Sequence, residues 1–239
     1  MASGTVLSLH RWPVKSLGGE PVSALRVDPR GVGGDRTHAL FDVHRGAPRR
    51  LTAREAPRML AWAAAYPAAP DDALDPTAPP LPRLTAPDGR AFAWDDPELA
   101  VVLKRELGRE VTLHRDLAGQ QDLNESVLVT TAATLRALGE ELGRPLDLRR
   151  FRTNVHVVLD APAFAEERWE GRRIRIGEAE LELLHPCERC VIPTRDPDSQ
   201  EKWAPLLKHL VREHRGLFGI NARPVGPARI SVGDAVSVV

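Results

Sequence analysis

The sequence predicts a mainly β (α+β) protein in which short strands carry the core and helices lie at the periphery. Strand-like segments outnumber helical ones, glycine and proline punctuate the first half at close intervals, and only three stretches keep the spacing of an amphipathic helix. In the first half, residues 5–10, 22–28 and 37–43 read as strands. They are separated by Gly18-Gly19 and the Gly31–Gly34 run, and His44-Arg-Gly-Ala-Pro follows as a hairpin signal. An antiparallel sheet or small barrel is the expected N-terminal unit.

Residues 67–87 hold seven prolines, which supply few ladder donors and forbid a helix. This stretch reads as a surface excursion of the first unit. Residues 97–107 follow the Asp95-Asp96 pair with helical spacing, and 111–114 reads as a strand. Residues 130–142 set Leu135, Leu138 and Leu142 on one helical face and stop at Gly143. Strands are expected at 154–159, 172–176 and 178–184, a helix at 202–212 and a last strand at 228–236.

Composition narrows the function. The 239 residues carry 33 Lys and Arg against 33 Asp and Glu, a formal charge of zero, which argues against a broadly cationic nucleic-acid binder. With 42% apolar and 28% charged residues the chain can build a core without staples. Cys187 and Cys190 are its two cysteines, too close to found a disulfide framework, and a reducing cytoplasm fits them. His10, Arg11 and Lys15 break up any signal-like N-terminal run, and no uncharged stretch approaches the roughly 18 residues of a membrane span. A cytoplasmic protein without membrane or nucleic-acid partner is expected. Nothing is periodic enough for a coiled coil, and a monomer is the expectation.

The densest chemistry lies in His185-Pro-Cys-Glu-Arg-Cys-Val-Ile-Pro-Thr-Arg-Asp-Pro-Asp-Ser199. Its thiols read as small buried hydrophobes at a strand end, as half of a zinc site with His185, or as a reactive or metal-ligating thiolate. A zinc site needs four ligands, and the remaining histidines form no suitably spaced pair. Arg189 favours a thiolate at Cys190 if its side chain folds toward that sulfur. Pro193 and Pro197 argue against the helix that a redox dithiol normally opens.

The run from Cys187 to Ser199 resembles the signature of MOSC domains. Trp12-Pro-Val-Lys-Ser-Leu-Gly-Gly-Glu20, Gly33-Gly-Asp-Arg36 and Leu51-Thr-Ala-Arg-Glu-Ala-Pro-Arg58 are similar to the β-barrel that precedes such domains. Arg150-Phe-Arg-Thr-Asn154, Glu167-Arg-Trp-Glu170, Phe218-Gly-Ile-Asn-Ala222 and Val232-Gly-Asp234 follow in the family's order. The resemblance implies two lobes: an N-terminal β-barrel-like lobe over 1–95, with the excursion at 67–87, and a MOSC-type β-barrel lobe over 96–239. It further implies a molybdenum cofactor held between the lobes, as in the mitochondrial amidoxime reducing component and its bacterial relatives. Those proteins reduce N-hydroxylated compounds with electrons from partner redox proteins. The family is also associated with pyridoxal phosphate binding.

By the same resemblance Cys190 is the metal ligand and catalytic residue, and Cys187 supports it. Lys15, Ser16, Arg36, Arg54, Thr134, Arg152, Asn154 and Arg189 hold the cofactor. Their chemistry suits a phosphorylated pterin: cations and forked donors for phosphate, hydroxyl and amide groups for ring edges, and Gly18-Gly19 for backbone approach. The chain departs from the family in three places. Thr134 stands where relatives commonly have serine, Thr153 where proline is frequent, and Gln200 where a turn glycine is familiar. Two other functions remain open at this point: persulfide transfer through Cys190, and cofactor carriage without turnover.

Overall fold

The computed structural model describes residues 2–67, 74–117 and 127–239. Seven strands close a barrel: β1 (Ala2–Arg11), β2 (Val127–Thr131), β3 (Val155–Leu159), β4 (Arg173–Ile176), β5 (Ala179–Glu188), β6 (Leu217–Pro224) and β7 (Ala235–Val238). Around the ring they run β1, β3, β2, β6, β5, β4, β7 and back to β1. Neighbours are antiparallel except β2 and β3, the parallel pair. Parallel pairing demands a crossover, which here includes a helix.

Three α-helices occur among the described residues: α1 (Pro97–Leu107), α2 (Ala132–Glu141) and α3 (Pro205–His214). Asp96 caps α1 by accepting from the Glu98 amide at 2.8 Å, and Gly108 ends it in the left-handed region, where only glycine is unstrained. Thr131 caps α2 in the same way through the Thr134 amide.

Residues filling the barrel alternate along their strands, so it is a packed core rather than a pore. Leu181, Leu183, Val155, Val157, Ile174 and Ile220 are all fully buried, each stabilising the fold by about 1.5–3 kcal/mol. A register shift between Val6 and Ser8 lets Val6 and Leu9 of β1 both face inward despite their odd spacing. At Gly4 the closure is tight: a Cβ there would lie 1.8 Å from the Val158 carbonyl oxygen.

The first lobe is built from small sheets. His38–His44 pairs with Ala47–Arg50 and Thr112–Arg115, and Ala63–Ala65 with Arg83–Thr85 and Arg83–Thr85 with Ala91–Ala93. Its core holds Leu40, Met59, Trp62, Leu84 and, from α1, Leu99 and Leu103. Packing therefore moves residues 97–115 out of the second lobe, where a division at 95/96 put them, and into the first. It moves β1 the other way. A third cluster, Leu138, Phe151, Leu206, Leu210 and Phe218, joins α2 and α3 to the barrel, with Phe151 and Phe218 stacked at 3.7 Å.

Five expectations need correction. The 67–87 excursion contains a strand, Arg83–Thr85, with Leu84 fully buried, while residues 68–73 lie outside the described residues. The expected helix over 130–142 begins two residues later, because 127–131 is β2. The expected strand over 228–236 is two, Ala228–Ser231 and β7, separated by a turn at Gly233. The expected strand over 178–184 runs on to Glu188 as β5, and the expected helix over 202–212 is shifted to Pro205–His214.

A thiol-bearing cleft between the lobes

β5 ends at Glu188 and delivers Cys187 and Cys190 to a cavity of about 180 Å³ between the lobes. The first lobe lines it with Lys15, Ser16, Arg36 and Arg54, and the second with Arg152, Arg189 and both cysteines. Cys190 is exposed and Cys187 partly so, which removes the reading of both thiols as buried hydrophobes. The turn after Cys190 is a short 3-10 segment, Ile192–Thr194, and opens no α-helix.

Asp35 is the centre of the polar frame behind the cavity. It is 2% exposed. One oxygen accepts from the Trp12 amide at 2.7 Å and from Asn154 Nδ2 at 3.1 Å, and the other is ion-paired to Arg36. Arg36 in turn donates to the Arg152 carbonyl at 3.3 Å. The pair is thus buried, not the surface ion pair that Asp35-Arg36 could equally have been. Arg152 donates to the Leu17 carbonyl at 2.6 Å and lies 4.4 Å over the Trp12 ring.

Ser16, Arg36 and Arg152 all adopt left-handed backbone, with φ of 70°, 49° and 55°. For residues with a Cβ this costs on the order of 1 kcal/mol each. Three such residues at one cavity mean that the fold holds their side chains there against local preference. Arg152 precedes β3 in this conformation and Arg150 sits in the 3-10 turn Leu148–Phe151, so the two do not share a strand face. Arg150 pairs with Asp196 at 2.5 Å instead.

Burial, reinforced by the Arg36 and Arg189 charges, pulls the Arg152 guanidinium down to about 9, with Asp35 and Cys190 opposing. Its Nη2 is buried without a hydrogen-bond partner, as is Nε of Arg189. Such unpaired, crowded cationic donors are the electrostatic complement of an anion. Arg189 does not fold toward Cys190. Its Nη1 reaches Cys187 Sγ at 3.0 Å and its Nη2 the Phe151 carbonyl at 2.8 Å.

Two expected cofactor residues are placed elsewhere. Thr134 is 1% exposed, accepts from the Phe164 amide at 2.8 Å and donates to Glu166 at 2.9 Å. Asn154 is fully buried, accepts from the Leu128 amide at 3.1 Å and braces Asp35. Both hydroxyl and amide are consumed by the fold. Gly18 spends its amide on the Trp62 carbonyl at 2.7 Å, and Gly19 is required by Trp12, whose ring would lie 2.6 Å from an added Cβ. Both glycines also line a second, larger cavity beside the first. Asn221, Thr52 and Leu128 also line the cavity; of these Asn221 and Thr52 fell within motifs read from the sequence, and Leu128 did not.

A larger cavity of about 510 Å³ adjoins the first and shares Arg152 and Ile192 with it. Asp196, Pro197 and Asp198 line it. Gln200, standing where a turn glycine is familiar, takes φ of 61°, and its side chain donates to the Leu60 and Pro197 carbonyls at 3.2 and 2.9 Å. His185 faces Asn221 at 3.4 Å and joins no metal-ligating group with the cysteines among the described residues.

Glu166, which holds Thr134, is 1% exposed with Oε1 unpaired, and burial raises its carboxyl above the ordinary range. A raised carboxyl binds its proton more tightly folded than unfolded, so it costs stability as the pH climbs through the folded value. Glu166→Gln is expected to gain about 1 kcal/mol at pH 8 in urea unfolding, with the gain vanishing in acid. An equal or less stable variant at pH 8 would contradict this account.

Fold and cleft together define a two-lobed β-barrel protein with an accessible thiol facing partly buried arginines. The chain belongs to the MOSC domain family, which matches residues 113–237, more than half of its length, and the MOSC N-terminal beta barrel domain matches residues 3–105. It is similar to mitochondrial amidoxime reducing component 2 of Macaca fascicularis and of Homo sapiens, each 28% identical over 82% of this chain and 68% of that protein. The YUAD protein from Bacillus subtilis has the same fold, with a TM-score of 0.52 and 15% identity over 100% of this chain and 97% of that one. Among the described residues no helix is long and apolar enough to cross a membrane.

Proposed function

We propose that this protein is a molybdenum-cofactor-dependent oxidoreductase that reduces N-hydroxylated or N-oxide compounds. The observation that carries the reading is the exposed thiol of Cys190 in a cavity whose walls hold Arg152 and Arg189, each with a buried, unpaired donor atom. Membership of the MOSC family, associated with this cofactor, and relatives named amidoxime reducing components support it.

The donor set fits the group. Cys190 offers a soft sulfur ligand suited to a heavy transition metal. Lys15, Arg36, Arg54, Arg152 and Arg189 offer charge for a phosphate, and Ser16, whose hydroxyl accepts from the Ala53 amide, fixes the turn that presents Lys15. The adjoining cavity at Arg152 supplies the room that the smaller one lacks. When bound, the cofactor supplies two-electron redox chemistry beside this thiol. The overall reaction breaks an N–O bond, consumes two electrons and two protons, and releases water and the reduced amine or amidine. With Cys190 committed to the molybdenum, one cysteine remains, too few to hold an iron–sulfur cluster, and the electrons come from a separate electron-transfer protein.

The test is elemental and pterin analysis of the full chain from a cofactor-producing host, with dye-driven turnover of amidoximes and hydroxylamines. About one molybdenum per chain with turnover is expected. A metal-free, pterin-free protein overturns the proposal, and one extra sulfur on Cys190 by mass spectrometry points to persulfide transfer instead. Bound cofactor without any turnover points to a carrier.

A further inference from the structure

α2 and α3 end at one point. Glu141 is the last residue of α2 and His214 the last of α3, with His209 five residues before it. Nε2 of His209 and Nε2 of His214 each lie 2.7 Å from Oε2 of Glu141, and one ligand atom from each residue falls within 4.8 Å of the others. His209 and His214 are a His-x4-His pair on one helix, contrary to the expectation that no suitably spaced histidines exist, and the third member comes from a different helix.

The arrangement is held in place. His214 stacks on Phe164 with 3.9 Å between centroids and 18° between planes. The two imidazoles are 14% and 12% exposed, whereas the carboxylate is 35% exposed and open to water. Helix C-termini carry about half a negative charge. Two of them meet here around a carboxylate whose hydrogen-bond partners among the described residues are these imidazoles alone. Two imidazoles and a carboxylate on a negative background are the donors that a borderline divalent cation takes.

We propose that Glu141, His209 and His214 form a binding site for a divalent transition-metal cation of the zinc class, separate from the cysteine cleft. Binding replaces both N–H···O bonds with metal bonds. Each imidazole presents its Nε2 lone pair while the proton resides on Nδ1. The two N···O separations open from 2.7 Å, and the three ligand atoms, within 4.8 Å of one another, settle at about 3.3 Å, the edge of a tetrahedron with bonds near 2.0–2.1 Å. Solvent fills the remaining position. The ion would clamp α2 to α3 across the cluster that contains Phe151, the residue whose carbonyl anchors Arg189.

The test uses the as-isolated full chain, stripped with a chelator and titrated with Co²⁺ and then Zn²⁺. The expected result is one cobalt per chain with visible ligand-field absorption and no thiolate-to-cobalt charge-transfer band, displaced by zinc. Glu141→Gln keeps a hydrogen-bond acceptor for both imidazoles, and His209→Gln removes one ligand; each should weaken cobalt binding at least about 100-fold. Unchanged circular dichroism of Glu141→Gln separates lost ligation from lost folding. Absence of binding overturns the proposal. So does a thiolate charge-transfer band that persists unchanged in both variants, since the metal would then sit at the cysteines.

Discussion

Cys190→Ser protein from a cofactor-producing host is expected to carry at least about 100-fold less molybdenum than the parent and to lose turnover with it. Cys187→Ser should keep both. The two thiols are three residues apart but have different surroundings. Cys190 is exposed at the cavity, with Arg152 close enough to feel its charge. Cys187 accepts a hydrogen bond from Arg189 at 3.0 Å, and a serine hydroxyl can accept the same bond. Replacing an exposed sulfur by oxygen leaves the core untouched, so the Cys190→Ser fold should be as stable as the parent within about 0.5 kcal/mol. Equal molybdenum loss in both variants, or none in Cys190→Ser, would show that the ligand had been misassigned.

The second large effect is on stability in mild acid. His38 is fully buried against Trp94, and burial together with Arg115 pushes it down to about 4. His156, on β3, is pushed down to about 4 by burial and by His10, while Thr130 bonds its Nδ1 at 2.8 Å. Burial lowers His10 as well. Unfolded, these rings protonate near 6.5, so the unfolded state binds more protons between that value and 4. Stability from this source is complete above about pH 6.5 and is lost as the pH falls toward 4. Each of the two deep histidines accounts for on the order of 3 kcal/mol over the whole interval, a large share of a domain's margin. Urea midpoints should fall from pH 7 to pH 5, before carboxylates of ordinary pKa titrate, with the raised Glu166 carboxyl opposing the histidines in part. A His38→Gln, His156→Gln double variant should flatten that slope, whatever its stability at neutral pH. An unaltered slope would refute the assignment.

Much of this molecule was legible in its residues, for identifiable reasons. Asp96, Pro97 and Gly108 bracket α1 with local capping chemistry, and local chemistry can be read from one chain. β2 was not found, because all five of its residues are buried and a strand covered on both faces shows no alternation. β6 was hidden by Gly219, Asn221 and Pro224, residues that ordinarily mark turns. Gly219 is needed where β6 crosses β2, since a Cβ there would come 2.8 Å from Thr130. In the cleft, residue type identified the thiol and the arginines. It could not separate Asn154 and Thr134 from them, because a buried amide or hydroxyl serving the backbone looks the same in sequence as one serving a ligand.

β1 joins the barrel between β3 and β7, strands made from residues 155–159 and 235–238. A ribosome therefore releases this stave of the cask long before its barrel neighbours exist, and the hoop cannot be closed until residues 235–238 have been made. Pairings so remote in sequence make for slow assembly, with a waiting edge open to wrong partners. The Lys15–Ser16 turn follows closely on that stave, so the cleft takes its final shape once β7 has been laid.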